Sequence, residues 1–98
     1  MHTFQVIRII DGDTFEVNPT WQWNGGSGNR VRPTGYDAAE IGAFGGAAAT
    51  AKLASLILGR SVQLGNGYRI DRGRLVCDVY FNGYDLAKYF QPRAQSLR

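Results

Sequence analysis

The chain has 98 residues, of which 44% are apolar and 12% aromatic. That is enough for one hydrophobic core and too apolar for a disordered tail. Its net charge of +3 rests on nine arginines and two lysines, a bias toward phosphate-bearing partners because guanidinium forks bind phosphate bidentately; the plain alternative is a solvated surface that maintains solubility.

No apolar run approaches the ~18 residues of a membrane span. The start, Met1-His2-Thr3-Phe4-Gln5, reads as lacking the basic and apolar stretches of a signal peptide, and no compartment follows from it. A single cysteine, Cys77, allows neither an intramolecular disulfide nor a cysteine metal cluster.

In chain order, residues Thr3 to Ile10 are β-branched and aromatic and predict a first strand. Asp11-Gly12-Asp13 predicts a hairpin turn, with the positive φ angles that Asp-Gly supplies. Thr14 to Val17 returns as a second strand. Residues Asn18 to Asn29, with one proline, three glycines and the tryptophans Trp21 and Trp23, read as a loop. Arg30 to Tyr36 reads as a third strand, with Pro33 at an edge or a bulge.

The alanine-rich segment Gly45 to Leu58 predicts the main helix, with Gly59 as the glycine that ends it. Ser61 to Leu64 predicts a short strand, Gly65-Asn66-Gly67 a turn, and Leu75 to Phe81 a strong strand. After a turn at Asn82-Gly83, Asp85 is placed to cap a short helix from Leu86 to Phe90. The expected fold is mainly β with α: a five-stranded Greek-key barrel with a helix across one end. Residues 1–90 form the domain and 91–98 a polar tail.

Four clusters carry chemistry: Asp11-Gly12-Asp13-Thr14, Arg32, Asp37 with Glu40, and Arg74 within Asp71-Arg72-Gly73-Arg74. Singly, each has an ordinary structural role as a turn, a surface strand residue, helix N-terminal carboxylates, or an arginine stem over apolar surface. Together, oxygen ligands for a hard cation and two arginines are the parts of phosphodiester hydrolysis.

The order Ile9-Ile10-Asp11-Gly12-Asp13-Thr14, then Val31-Arg32-Pro33-Thr34-Gly35-Tyr36-Asp37-Ala38-Ala39-Glu40, then a helix, then Asp71-Arg72-Gly73-Arg74-Leu75 resembles the staphylococcal-nuclease-like family of thermonucleases. The resemblance runs from about Val6 to Phe90. It implies an OB-fold barrel and a calcium-dependent nuclease that acts on single-stranded or loosened DNA and RNA and leaves 3′-phosphate ends. It implies Asp13, Asp37 and the backbone carbonyl of Ala38 as calcium ligands, with Asp11 as a supporting carboxylate near the ion. Glu40 would be the general base, and Arg32 and Arg74 the guanidinium groups that hold the phosphate.

The sequence departs from the family pattern at Ala39, where the family has proline, and in the shortened Asp71–Arg74 motif, which lacks a tyrosine. Tyr36, Tyr68, Trp21 and Trp23 are the candidate base-stacking rings; core packing is the alternative for the tyrosines, and packing on a neighbouring chain for the tryptophans. A catalytically weak nucleic-acid-binding module of the same fold is the competing functional expectation. The apolar and aromatic residues Val79 to Phe81, Leu86, Tyr89 and Phe90 either form a homodimer surface or fill the barrel's own open end.

Overall fold

A computed structural model describes residues 2–38 and 44–90. Five strands close into a barrel: β1 (Thr3–Asp11), β2 (Thr14–Trp23), β3 (Gly26–Pro33), β4 (Ser61–Asp71) and β5 (Arg74–Phe81). Helix α1 (Gly46–Ile57) lies between β3 and β4 in the chain, and a two-residue strand β6 (Tyr84–Asp85) and a 3-10 turn (Leu86–Tyr89) follow β5. Around the barrel the order is β1-β2-β3-β5-β4 and back to β1; all pairs are antiparallel except β3–β5, whose parallel pairing closes the ring. Closure removes the open sheet edges that a small β domain must otherwise protect.

The interior follows the period of two that strands impose. Phe4 and Val6, Phe15 and Val17, then Leu75, Cys77, Val79 and Phe81 all point inward and are buried. Leu53 and Ile57, four residues apart on one face of α1, complete this cluster. Burial pushes the Cys77 thiol up to about 12, so it behaves as a small apolar residue rather than a nucleophile. Gly59 has φ 77° directly after α1, as expected of the residue that turns the chain out of a helix. Its N–H then donates to the carbonyl of Val6, which fastens the helix end to β1.

Several expected boundaries are corrected. The segment 18–29 is not a loop: β2 runs on to Trp23 and turns at Asn24-Gly25 into β3. Both turn residues have positive φ, the two-residue hairpin geometry. The paired ladder lapses between Glu16 and Trp21, where Pro19 has no N–H to offer. Nor is Gly65-Asn66-Gly67 a turn; it lies within β4, where the register against β5 shifts between Leu64 and Gly67 and again between Gly67 and Arg69. The turn is at Arg72-Gly73, both with positive φ, so the shortened Asp71–Arg74 motif is a two-residue hairpin.

Strand β3 ends at Pro33 rather than Tyr36. The short C-terminal helix is a four-residue 3-10 turn, with the Asp85 side chain accepting from the Ala87 N–H at 2.9 Å. The tail 91–98 lies outside the described residues. Val79, Phe81 and Leu86 are buried, and Tyr89 and Phe90 pack against the same core. These side chains therefore belong to or pack on the chain's own core. Among the described residues no helix is long and apolar enough to cross a membrane.

Candidate functional site

The β1–β2 turn, the end of β3 and the start of β5 meet on one side of the barrel. Asp11 and Thr14 pair across the β1–β2 turn, and the Asp11 carboxylate accepts from the Asp13 N–H at 3.1 Å. This local bond orients the turn, as short acidic side chains commonly do. Gly12 does not adopt the positive φ expected for it. It is needed for clearance instead: a Cβ there would lie 2.7 Å from the Cβ atoms of both Ala38 and Ala49. The turn is thus wedged between the Asp37 segment and the helix.

Asp13 is almost buried, and its carboxylate accepts from Arg32 Nη2 at 3.3 Å. The same nitrogen donates to Asp37 Oδ1 at 3.0 Å. Thr14 Oγ1 donates to Asp13 Oδ1 at 3.4 Å and accepts from Arg74 Nη1 at 3.4 Å. Arg74 is steadied at its own turn by the Asp71 backbone carbonyl, 3.2 Å from Nε, and by the Asp71 carboxylate, 2.9 Å from Nη2. The parallel register sets Arg30 beside Arg74 and Arg32 beside Val76, so Arg32 and Arg74 occupy the same outer face two positions apart. The structure therefore brings Asp11, Asp13, Arg32, Asp37 and Arg74 into one neighbourhood. The Ala38 N–H lies against the Asp13 carboxylate. Glu40 lies outside the described residues.

The electrostatics are uneven. Burial raises the Asp13 carboxyl above its ordinary value, and the Asp11 carboxylate beside it adds to the rise; Arg32 and the Ala38 N–H offset only part of this. Burial alone would weaken the charge on Arg32, but Asp13 and Asp37 more than offset it and hold the guanidinium above its ordinary value.

Tyr36 has a different place from the one expected. Its hydroxyl donates to the Gly12 carbonyl at 3.0 Å, and its ring stacks on Phe90 with centroids 4.1 Å apart. Lys52 Nζ covers the same Phe90 ring at 4.6 Å. One face of Tyr36 is occupied, and the residue ties the Asp11–Asp13 turn to the C-terminal segment. Trp21 belongs to the core, its indole N–H donating to the Arg30 carbonyl at 2.8 Å; it offers no stacking face. Trp23 is partly buried against that core. Of the four candidate rings only Tyr68 is largely open, at 53% exposure.

Sequence reasoning missed Thr14 as the link between Asp13 and Arg74, and Phe90 as the partner of Tyr36. The adjacency of Thr14 to Asp13 was the available signal for the first; nothing local signals the second. A cavity of about 550 Å³ at the far end of β2, lined by Phe4, Trp21, Trp23 and Leu64, is roomier than the groove of about 330 Å³ beside Arg32 and Asp37. Its lining holds no acidic or guanidinium side chain, so size does not make it the chemical site. Compared against known protein families and curated proteins, the chain matches none.

Proposed function

We propose that the chain is a calcium-dependent phosphodiesterase of the staphylococcal-nuclease-like kind, built on an OB-fold barrel and cleaving single-stranded or loosened DNA and RNA. The observation that carries this reading is the continuous polar chain from Asp37 through Arg32, Asp13 and Thr14 to Arg74. The strand order β1-β2-β3-β5-β4 with a closing parallel pair supports the OB-fold part of it.

The donor chemistry fits a hard divalent cation. All donors are oxygens, and Asp13 and Asp37 already share one positive charge at Arg32 Nη2. The raised Asp13 carboxyl, crowded by Asp11, is a place where added positive charge is favourable. Asp13, Asp37 and the Ala38 carbonyl would hold the ion. When bound, it would supply positive charge to a phosphoryl oxygen as negative charge develops there.

The chain's own groups do the rest. Arg32 and Arg74 present guanidinium forks to the phosphate from one face, fixed before substrate arrives by Asp13, Asp37, Thr14 and Asp71. Donors held in place in this way lose little in reorganisation, and each is worth about 10²–10³ in rate. Glu40 is the proposed base that takes a proton from the attacking water. By the family resemblance the bond broken is to the 5′ oxygen, leaving a 3′-phosphate.

One observation favours the second reading, a binding module with weak catalysis. Arg32 is engaged by both carboxylates proposed to hold the cation, Asp13 and Asp37. Plasmid and RNA degradation with calcium and with chelator separates the readings. Calcium-supported cleavage that chelator abolishes is expected. Equal cleavage in both, from a preparation free of other nucleases, would refute calcium dependence, and no cleavage with retained binding would favour the binding module.

A further inference from the structure

Arg69 sits beside this site without having been assigned to it. In β4 it pairs with Val76 of β5, which in turn pairs with Arg32 of β3. Arg32 and Arg69 therefore lie on the two strands that flank β5, about 10 Å apart at the backbone by two strand spacings. Both line the groove of about 330 Å³ that also holds Thr34, Tyr36 and Asp37, with Val76 on its floor. Arg69 is exposed. None of the ion pairs among the described residues involves it.

Tyr68 is its chain neighbour. In regular β structure the two would face opposite sides of the sheet. The register shift between Gly67 and Arg69 inserts Tyr68 as an extra residue, a β-bulge, which commonly re-aims a side chain. The result is a half-exposed ring outside the core cluster. Its hydroxyl donates to Asp78 Oδ2 at 3.0 Å. The other Asp78 oxygen accepts from the Thr34 hydroxyl, and Thr34 belongs to the wall of the Arg32–Arg69 groove. The ring is thus held beside the groove and is not free to fold away.

We propose that Arg69 and Tyr68 form a second nucleotide position, in which Arg69 holds the phosphate next to the one gripped by Arg32 and Arg74, and the Tyr68 ring stacks on the accompanying base. The inference rests on the phosphodiesterase reading of the Asp13–Arg32–Arg74 site. Asp78 carries negative charge beside the ring, which suits a base there and a phosphate only at Arg69. A base stacked on Tyr68 must be unpaired from a duplex stack, so the position selects single strands.

The test compares binding of a fluorescent, cleavage-resistant phosphorothioate thymidine dinucleotide and hexanucleotide, in calcium and in chelator, by wild type, Tyr68→Ala, Arg69→Gln and Asp78→Asn. Wild type is expected to bind the hexanucleotide more tightly than the dinucleotide, and Tyr68→Ala to reduce that ratio by roughly tenfold, the scale of one base stack. Arg69→Gln should reduce it too and lower the salt slope of hexanucleotide binding by about 0.7, which a merely structural role would not do. Asp78→Asn should give a smaller loss, because the ring stays but is less firmly held. If wild type binds both strands and the variants keep the wild-type ratio and slope, the second position is refuted while the main site stands. Duplex bound as tightly as the hexanucleotide would also refute it. If wild type binds neither strand in either condition, the main reading fails and this one with it.

Discussion

Replacing Asp13 by Asn should stabilise the calcium-free protein at neutral pH while removing calcium-supported cleavage. Asp13 is nearly buried, and its carboxyl is raised above its ordinary value of 3.8 by burial first and by Asp11 second. A carboxyl raised on folding makes ionisation costly to the folded state. That cost is absent below pH 3.8, grows as pH rises through the higher folded value, and is complete at neutral pH. Against it stands the contact with Arg32, at 3.3 Å. Arg32 keeps Asp37 at 3.0 Å after the substitution, so the guanidinium is not left alone, although Asp37 is mostly in water and that pair is weak. Relief of the buried charge therefore wins. The gain expected of relaxing a functional site is about 0.5–2 kcal/mol, or a rise of several degrees in Tm for a domain of this size, at ~4–8 °C per kcal/mol. Urea unfolding of Asp13→Asn and wild type in chelator at pH 7 and pH 3 measures it. The difference should be present at pH 7 and shrink at pH 3. A variant less stable than wild type at pH 7 would show that the Arg32 contact outweighs the burial cost, and would refute the argument.

Glu40→Gln should lower calcium-supported turnover by about 10²–10⁴, the usual worth of a positioned base, with single-strand affinity within a few-fold of wild type; steady-state kinetics beside anisotropy binding checks both. Gly12→Ala should cost about 1–3 kcal/mol through overpacking against Ala38 and Ala49; urea unfolding should show partial recovery when Ala49→Gly is added. Tyr36→Phe should lose about 1 kcal/mol with the hydrogen bond to the Gly12 carbonyl. Burial first, then Asp13 and Asp11, raises the Tyr36 phenol above its ordinary value of 10.0. Wild-type stability is therefore held below pH 10 and falls as pH climbs toward the raised folded value. The Phe variant should show less of that alkaline loss in unfolding curves taken from pH 8 to 11.

Much of the barrel was legible because inward and outward residues alternate in β1 and β5 and because α1 is rich in alanine. The β2–β3 hairpin was not, since its composition reads as a loop. The structure gives the glycines there a different purpose. A Cβ at Gly28 would lie 2.9 Å from the Trp21 ring, and one at Gly67 would collide with the Trp23 indole. These glycines make room for the tryptophans of β2, Gly28 from the paired strand β3 and Gly67 from β4, which does not pair with β2, and glycine in a strand often marks such a close approach. Composition counts the glycine as flexibility because its aromatic partner is seven residues away in one case and forty-four in the other.

The site was legible to a different depth in each half. Asp11 ends β1, Asp13 lies in the β1–β2 turn and Arg32 lies on β3, the next strand but one, so the two successive hairpins alone bring them near one another. Arg74 is sixty residues from Thr14, and only the parallel β3–β5 pairing sets it beside them. No local pattern encodes that pairing; it exists because the barrel must close over Phe15, Val31, Leu75 and Cys77, all buried in one cluster. The two guanidinium groups therefore share one face only when the ring is shut. A core substitution that loosens closure, such as Val31→Ala at a fully buried position, should separate Arg74 from Arg32 and lower phosphate binding before the domain unfolds. The phosphate grip depends on the β3–β5 seam as much as on the arginines themselves.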